Sequence, residues 1–258
     1  MPQNPALNLL QMPISLPSTK PTKISQLDLE WLNRKFTTAE PIEILTWCVQ
    51  QIPTGLVQTS AFSVNGMAIT DLLYRQLRPI PPIPVIFLDT LHHFPETLDL
   101  VAKAQAFYRL DLRIYQTPHV QNQAEFADRY GAALWVKDVQ QFHQITKIEP
   151  LQRALRDLQV SAWITGRRRD QSSTRSDLPV FERDKQGRLK VNPLVNWTQK
   201  DSWRYVMEHG LMYNSLYDQG YASIGDQPLT TPIAVGEEER AGRWRGSQKT
   251  ECGIHLAI

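Results

Sequence analysis

The sequence predicts an α/β protein, with a mostly parallel sheet that is covered by helices on both faces. Short apolar runs suited to strands alternate along the chain with longer segments whose apolar residues recur at helical spacing. The run at residues 85–88 is apolar throughout, which is typical of a strand buried on both faces. With 258 residues, of which 41% are hydrophobic, the chain is long enough to bury a sizeable core.

The predicted elements follow one another in a repeating order. Two amphipathic helices come first, and units of strand, loop and helix then recur. Strands are predicted at 56–60, 85–88, 112–115 and 162–165, helices at 27–36, 42–52, 67–77, 95–109, 150–158 and 198–209, and a hairpin at 180–191. Because ligands of parallel sheets bind beyond the carboxyl ends of the strands, the candidate site lies in the loops at 60–66, 89–94 and 166–176.

Composition divides the chain into three parts. Residues 1–24 are rich in proline and lack the charged start and apolar run of a signal peptide, so we expect a disordered tail. Residues 25–215 form the predicted α/β domain that binds the substrate. Residues 216–258 form a C-terminal segment with many charges and glycines and little periodicity, which we expect to be flexible.

Charge and cysteine content exclude several functions. A net charge of +2, from 28 Lys and Arg against 26 Asp and Glu, is too balanced for bulk binding to nucleic acid. No apolar stretch approaches the ~20 residues of a membrane span, so we expect a cytoplasmic protein without membrane contact. Two cysteines cannot build a disulfide scaffold or a four-cysteine metal site, and the six histidines lack typical ligand spacing. His92 and His93 follow a strand, where solvated or helix-capping histidines are more common than ligand-binding ones.

The loop at 60–66 is the first candidate for binding an anion. Ser60, Phe62 and Ser63 lie where a helix begins, so that free backbone amides and hydroxyls are available to a phosphate oxygen. The loop has neither the Walker lysine nor a glycine-rich dinucleotide pattern. A structural turn without ligand explains it equally well.

The loop at 166–175 is the second candidate. It contains four arginines, among them Arg168, Arg169 and Arg175, together with Gln171 and Ser172. Guanidinium groups match the geometry of phosphate and sulfate oxygens. The alternative is a solvated basic loop.

The two cysteines differ in their surroundings. Cys48 lies among apolar residues of a predicted helix, where a buried core position is the ordinary role. Cys252 lies near the end of the chain, in a segment without a packing pattern. An unperturbed thiol, with a pKa of about 8.5, is only ~3% thiolate at pH 7, and neighbouring cations raise that fraction. Cys252 is therefore a candidate nucleophile, and an idle terminal thiol is the alternative.

Several short motifs follow one another along the chain. They are SAFS at 60–63, LDT at 88–90 with FPET at 94–97, KIEPL at 147–151, the 166–175 loop, PL at 193–194 with Trp197, GEEERAGRW at 236–244 and ECGIH at 251–255. The ordered set resembles the phosphoadenylyl-sulfate (PAPS) reductases and the related adenylyl-sulfate (APS) reductases of sulfate assimilation. The resemblance covers about residues 40–256 and is most specific at the terminal motif.

The resemblance implies a fold, a reaction and a set of site residues. The fold is that of the adenine nucleotide alpha hydrolases, with 60–66 as a degenerate pyrophosphatase loop in a PAPS-binding domain. The Cys252 thiolate attacks the sulfur of PAPS to form S-sulfocysteine, and thioredoxin or glutaredoxin then releases sulfite. A homodimer is also implied. The implied substrate-binding residues are Ser60, Phe62, Ser63, Asp89, Thr90, Lys147, Arg168, Arg169, Gln171, Ser172, Arg175, Arg240, Arg243 and His255.

Departures from the family pattern bear on substrate and cofactor. APS-type enzymes hold an iron–sulfur cluster through a cysteine pair and a CxxC, where this chain has Phe142-His143 and residues 226–229, DQPL. The resemblance therefore implies that no cluster is bound and that PAPS is preferred. The stretch at 239–244 is as similar to the APS-type branch, which leaves a cluster-free APS reductase as an alternative.

The loop at 60–66 also departs from the family pattern. Ser63 stands where glycine is expected, and a positive φ there would be strained for serine. An ATP pyrophosphatase of the same fold is a further alternative, although Asn65 and Gly66 replace the Asp-Ser of its loop. A nucleotide-binding protein without catalysis is the third.

Overall fold

A six-stranded sheet forms the centre of the computed structural model, which describes residues 24–245, 249, 251 and 253–257. The strands are β1 (Leu56–Thr59), β2 (Val85–Asp89), β3 (Leu112–Gln116), β4 (Ala162–Ile164), β5 (Phe181–Arg183) and β6 (Leu189–Val191). Their order in the sheet is β3-β2-β1-β4-β6-β5, and every neighbouring pair is parallel except the β5–β6 hairpin. The α/β prediction is therefore confirmed, including its hairpin.

Helices precede, connect and follow the strands. The first half contains α1 (Leu29–Lys35), α2 (Pro41–Gln51), α3 (Val64–Asp71) and α4 (Pro95–Tyr108). The second half contains α5 (Gln123–Tyr130), α6 (Leu134–Lys137), α7 (Val139–His143), α8 (Glu149–Asp157), α9 (Gln199–His209) and α10 (Ile254–Ala257). The chain continues α3 and α7 as π-helical turns at Leu72–Leu77 and Gln144–Ile148. No helix in the described part of the chain is long and apolar enough to cross a bilayer.

The sheet is covered on both faces because successive strand residues point to opposite sides. Leu56 packs in a cluster with Ile44 of α2. Val57, the next residue, packs on the opposite face against Leu151 of α8. Cys48 belongs to the first cluster, is fully buried, and has a thiol pKa raised by that burial, so its predicted core role is confirmed.

The segment between β3 and α8 was not assigned any element from the sequence. It forms the short helices α5, α6 and α7, which enclose a separate apolar cluster around Phe126 and Phe142. His92 is 2% exposed and contacts both of these rings, so the interpretation of His92 as solvated is wrong. Helices this short give little periodicity from which to predict them.

The sheet order creates a crevice beside β1. From β1 the chain passes to β2 and β3 on one side, and it later returns to β4 on the other side. The connections at the carboxyl ends of β1 and β4 therefore diverge, and such a point is where open α/β sheets bind ligands. The loops at 60–66 and 166–176 flank this crevice.

Candidate active site

A cavity lies at the carboxyl ends of β1 and β4 and is lined by all three predicted loops and by the C-terminal segment. The predicted site residues in its wall are mainly polar or basic. Ten of the predicted site residues line it, namely Ser60, Ser63, Thr90, Lys147, Arg168, Gln171, Arg175, Arg240, Arg243 and His255.

The β1–α3 loop contains one residue with a left-handed backbone conformation, and that residue is not Ser63. Phe62 has φ of +53°, whereas Ser63 has φ of −65° and is unstrained. The Ser63 hydroxyl caps α3 by accepting a hydrogen bond from the Gly66 amide at 3.4 Å. The expected strain at Ser63 is therefore wrong, because serine performs a capping role in a backbone conformation open to any residue.

The same loop is pressed tightly against the β4 loop. A Cβ at Gly166 would lie 3.1 Å from the Asn65 Cβ, so the β4 loop leaves little room for a larger residue at this position. The Asn65 amide donates to the Gly166 carbonyl at 2.8 Å. The two loops that flank the crevice are thus joined by a direct hydrogen bond.

Arg168 connects several parts of the cavity wall. Its side chain is 2% exposed and donates to Asn65 at 2.8 Å, to Asp170 at 2.8 Å and to Glu239 at 2.6 Å. The Gln171 amide oxygen accepts from the Arg168 backbone. Arg168 therefore ties the loops at 60–66 and 166–176 to the C-terminal segment, with a guanidinium fixed in one orientation.

Four predicted site residues are not among those lining the cavity. Phe62 is a core residue in edge contact with Phe87. Asp89 accepts from the Leu91 amide and so shapes the loop after β2. Arg169 donates to the Leu178 carbonyl and to Asn196, and the Ser172 hydroxyl bonds to Thr174.

A buried ion pair joins Lys147 to Asp226 on one wall of the cavity. Asp226 is completely buried, and the Lys147 side chain is 9% exposed. Burial alone would raise the pKa of Asp226, but the charge of Lys147 and the contact with His143 hold that pKa well below its usual range. Burial also lowers the pKa of His143 to about 4 and lowers the pKa of His93, so both imidazoles are neutral at pH 7.

The Lys147–Asp226 pair lies where the resemblance places the iron–sulfur cluster of APS-type enzymes. His143 and Asp226 are two of the four positions at which the resemblance places cluster-binding cysteines in the APS-type pattern. They lie 3.5 Å apart, beside Lys147, so the region is occupied by an ion pair. Among the described residues, no group of three or more His, Cys, Asp or Glu side chains is arranged to hold a metal ion.

The segment after α9 has little helix but makes well-defined contacts. The Trp244 ring is 2% exposed, and the guanidinium groups of Arg240 and Arg243 lie 5.2 Å and 4.6 Å from its centre. Arg243 also donates to Ser223 and to the Ile224 carbonyl. Both arginines line the cavity and lie against the ring of Trp244.

The residues around the terminal motif contact the cavity wall. Glu251 forms a two-pronged pair with Arg175, at 2.8 Å and 2.7 Å. The His255 ring stacks on Trp163, with centroids 5.7 Å apart, and the cations around it reinforce the effect of burial in keeping its pKa well below the usual range. Cys252, the predicted nucleophile, lies outside the described residues.

Several cavity residues were not predicted as site residues. They come from the ends of strands and from α9 and the C-terminal segment, and they are Asn65, Thr165, Arg167, Ser202, Tyr217 and Glu239. Arg167 is part of the predicted arginine loop, and it pairs with Glu182 and Asn192 behind the cavity. Ser202 lies in α9 and Tyr217 lies after it. No motif in the sequence marks either residue, because only the folded chain brings them to the β4 loop.

The chain is similar to a known protein family and to several of its members. The profile of the phosphoadenosine phosphosulfate reductase domain matches residues 55–232. A phosphoadenosine phosphosulfate reductase of Emericella nidulans is 47% identical, over 88% of this chain and 74% of that protein. An adenosine 5'-phosphosulfate reductase of Geobacillus thermodenitrificans is 39% identical, over 85% of this chain and 91% of that protein.

A solved structure supports the same assignment. The PAPS reductase of Candida auris, in complex with phosphate, superposes with a TM-score of 0.72 and 39% sequence identity. The match covers 80% of this chain and 96% of that one. With a domain profile matching over half of its length, a close relative and a shared fold, the chain belongs to the phosphoadenosine phosphosulfate reductase family.

Proposed function

We propose that this protein reduces PAPS to sulfite and adenosine 3',5'-bisphosphate, with Cys252 as nucleophile and thioredoxin as electron donor. Family membership and the named relatives support a sulfur-group oxidoreductase of sulfate assimilation. The observation that carries the proposal is the basic cavity at the β1–β4 crevice. His255 of the terminal motif lines this cavity, and Glu251 of the same motif is bonded to Arg175, which also lines it.

The first step transfers the sulfonate group to the enzyme. The Cys252 thiolate forms a bond to the PAPS sulfur, and the bond from that sulfur to the phosphate oxygen breaks. The leaving nucleotide, adenosine 3',5'-bisphosphate, keeps the electron pair. Both reactants are anions, so the reaction needs nearby positive charge. Lys147, Arg168, Arg240 and Arg243 line the cavity and supply it.

The second step releases sulfite by thiol–disulfide exchange. A thioredoxin thiolate attacks the sulfur of Cys252, and sulfite leaves with the electron pair of the broken S–S bond. The second thioredoxin thiol then resolves the mixed disulfide and restores the Cys252 thiol. Cys48 is fully buried in the core, so it is not available as an internal resolving thiol. The electrons must therefore come from a partner, for which glutaredoxin is the alternative.

We further propose that the enzyme works without an iron–sulfur cluster. A chain with two cysteines lacks the four that such a cluster needs. The Lys147–Asp226 ion pair lies where His143 and Asp226 replace cluster ligands of the APS-type pattern, which fits a cluster-free site. The cytoplasmic location and the homodimer remain predictions.

The nucleophile is tested by comparing the two cysteines. We expect Cys252→Ser to abolish sulfite release while adenosine 3',5'-bisphosphate still binds, whereas Cys48→Ala retains turnover per folded molecule. Incubation of the wild type with PAPS alone should add one sulfonate to Cys252, seen by intact-mass spectrometry. Retained turnover in Cys252→Ser would refute the mechanism.

Substrate choice needs its own experiment, because relatives named for APS reduction are also similar to this chain. We expect kcat/KM with thioredoxin to be higher for PAPS than for APS. Equal values, or a preference for APS, would favour the cluster-free APS reductase instead.

A further inference from the structure

Glu251, the residue before Cys252, is bound by two arginines that line the cavity. Its carboxylate accepts from Arg175 Nε at 2.8 Å and Nη2 at 2.7 Å, and from Arg240 Nη2 at 3.5 Å. The side chains of all three are at most 15% exposed. Burial opposes ionisation of Glu251, but the hydrogen bonds and charge of Arg175 and the charge of Arg240 lower its pKa, so it is an anion at neutral pH.

The residues after Cys252 are anchored independently. Gly253 adopts φ of +88°, and a Cβ there would lie 3.3 Å from Ile148, so the turn favours glycine and is close to the wall. Ile254 packs against the apolar cluster beneath α8. His255 stacks on Trp163, and its carbonyl accepts from Lys190 at 3.3 Å. Residues on both sides of position 252 therefore contact the cavity wall.

The two anchors differ in chemistry. The contacts after Cys252 are mainly apolar and aromatic, and they form with a face of the sheet. The contact before it is a charge-assisted, two-pronged pair, which fixes direction as well as distance. It uses two of the arginines that the resemblance assigned to substrate, and in this structure both contact the chain's own carboxylate.

We propose that Glu251 is a positioning residue, which by binding Arg175 and Arg240 holds the neighbouring Cys252 at the substrate cavity. This inference rests on the proposed function, in which Cys252 is the nucleophile. Glu251 itself touches neither the sulfonate nor the nucleotide. It determines how often the thiol is in place to attack, and thus the rate of the first step.

The test compares three variants with the wild type. Glu251→Gln keeps the size of the side chain and removes its charge, and Glu251→Asp keeps the charge on a shorter side chain. Glu238→Gln is the matched control, since Glu238 is an exposed carboxylate of the same segment. The rate of Cys252 S-sulfonation is measured by rapid quench and intact mass with PAPS and no reductant. Affinity for adenosine 3',5'-bisphosphate and hydrogen exchange of residues 251–257 are measured in parallel.

We expect Glu251→Gln to slow S-sulfonation about tenfold or more, the size typical of losing one charge-assisted pair. Hydrogen exchange of the terminal peptide should accelerate, while nucleotide affinity stays the same. Glu251→Asp should recover part of the rate, and the control should match the wild type.

Three results would overturn the inference. S-sulfonation at the wild-type rate in Glu251→Gln would show that the pair does not position the thiol. A parallel loss of nucleotide affinity would make Glu251 part of the binding site instead. Unchanged hydrogen exchange would show that the pair does not dock the terminal motif. If the wild type forms no adduct at Cys252, the proposed function fails and the positioning role falls with it, whereas hydrogen exchange still reports docking.

Discussion

Replacing Asp226 by asparagine should destabilise the protein strongly. The change keeps the shape of the side chain but leaves Lys147 as a buried cation without its counter-charge. Removing one partner of a buried ion pair costs about 3–5 kcal/mol. We therefore expect a loss of about 3–5 kcal/mol.

Thermal and urea unfolding measure this loss. For a chain of this size the melting temperature should fall by roughly 6–20 °C. Asp218→Asn is the control, since Asp218 is an exposed aspartate of the same segment, and we expect it to cost less than about 1 kcal/mol. The double variant Lys147→Met/Asp226→Leu should be more stable than Asp226→Asn, because it removes both charges.

The same loss has a defined pH dependence. The folded pKa of Asp226 is depressed, so its contribution to stability is complete above the unfolded pKa of about 3.9 and is lost as the pH falls below it. The difference between wild type and Asp226→Asn should therefore be constant above about pH 5 and shrink in more acidic solution. Equal stability of Asp226→Asn and Asp218→Asn would refute the claim that the buried pair is stabilising.

Other parts of the site give further predictions. Arg168→Lys should weaken adenosine 3',5'-bisphosphate binding in calorimetry, because lysine cannot bridge Asn65, Asp170 and Glu239 together; Arg204→Lys, on an exposed face of α9, should leave binding unchanged. Ser63→Ala should lower the free energy of unfolding by about 1 kcal/mol through loss of the α3 cap. Ser63→Gly should bring no gain in stability, and a gain would contradict the unstrained backbone at Ser63. Burial lowers the pKa of Lys190 to about 8, so the folded state binds fewer protons than the unfolded state above that pH. The wild type should therefore gain stability relative to Lys190→Met between pH 8 and about 10.5 in thermal unfolding, and a flat difference would contradict this.

Periodicity predicted the elements that pack against the sheet. The helix at 95–109 was placed within one residue of α4, because Pro95 marks its start and apolar residues recur along one face. The short helices between β3 and α8 were missed because they enclose their own small cluster and have too few turns to show a period. Local signals identify an element only when it is long enough to repeat them.

The loops of the candidate site were predicted correctly, but the roles of some residues within them were not. The loops after β1 and β4 were predicted correctly, because ligands of parallel sheets bind beyond the carboxyl ends of the strands and both loops lie there. The roles within them were harder to predict. Phe62, and not Ser63, takes the left-handed backbone, and Arg169 points away from the cavity while its neighbour Arg168 lines it. Such choices depend on partners remote in sequence, such as Glu239 for Arg168.

The C-terminal segment supplies a carboxylate to three cations of the cavity. Asp226 pairs with Lys147, Glu239 with Arg168, and Glu251 with Arg175. The first pair joins this segment to the π-helical turn before α8, and the other two join it to the loop at 166–176. The cations are therefore balanced within the chain, which agrees with a net charge of only +2. The three ion pairs hold the segment that carries Cys252 against the cavity, because each carboxylate is fixed by a cation of the α/β domain.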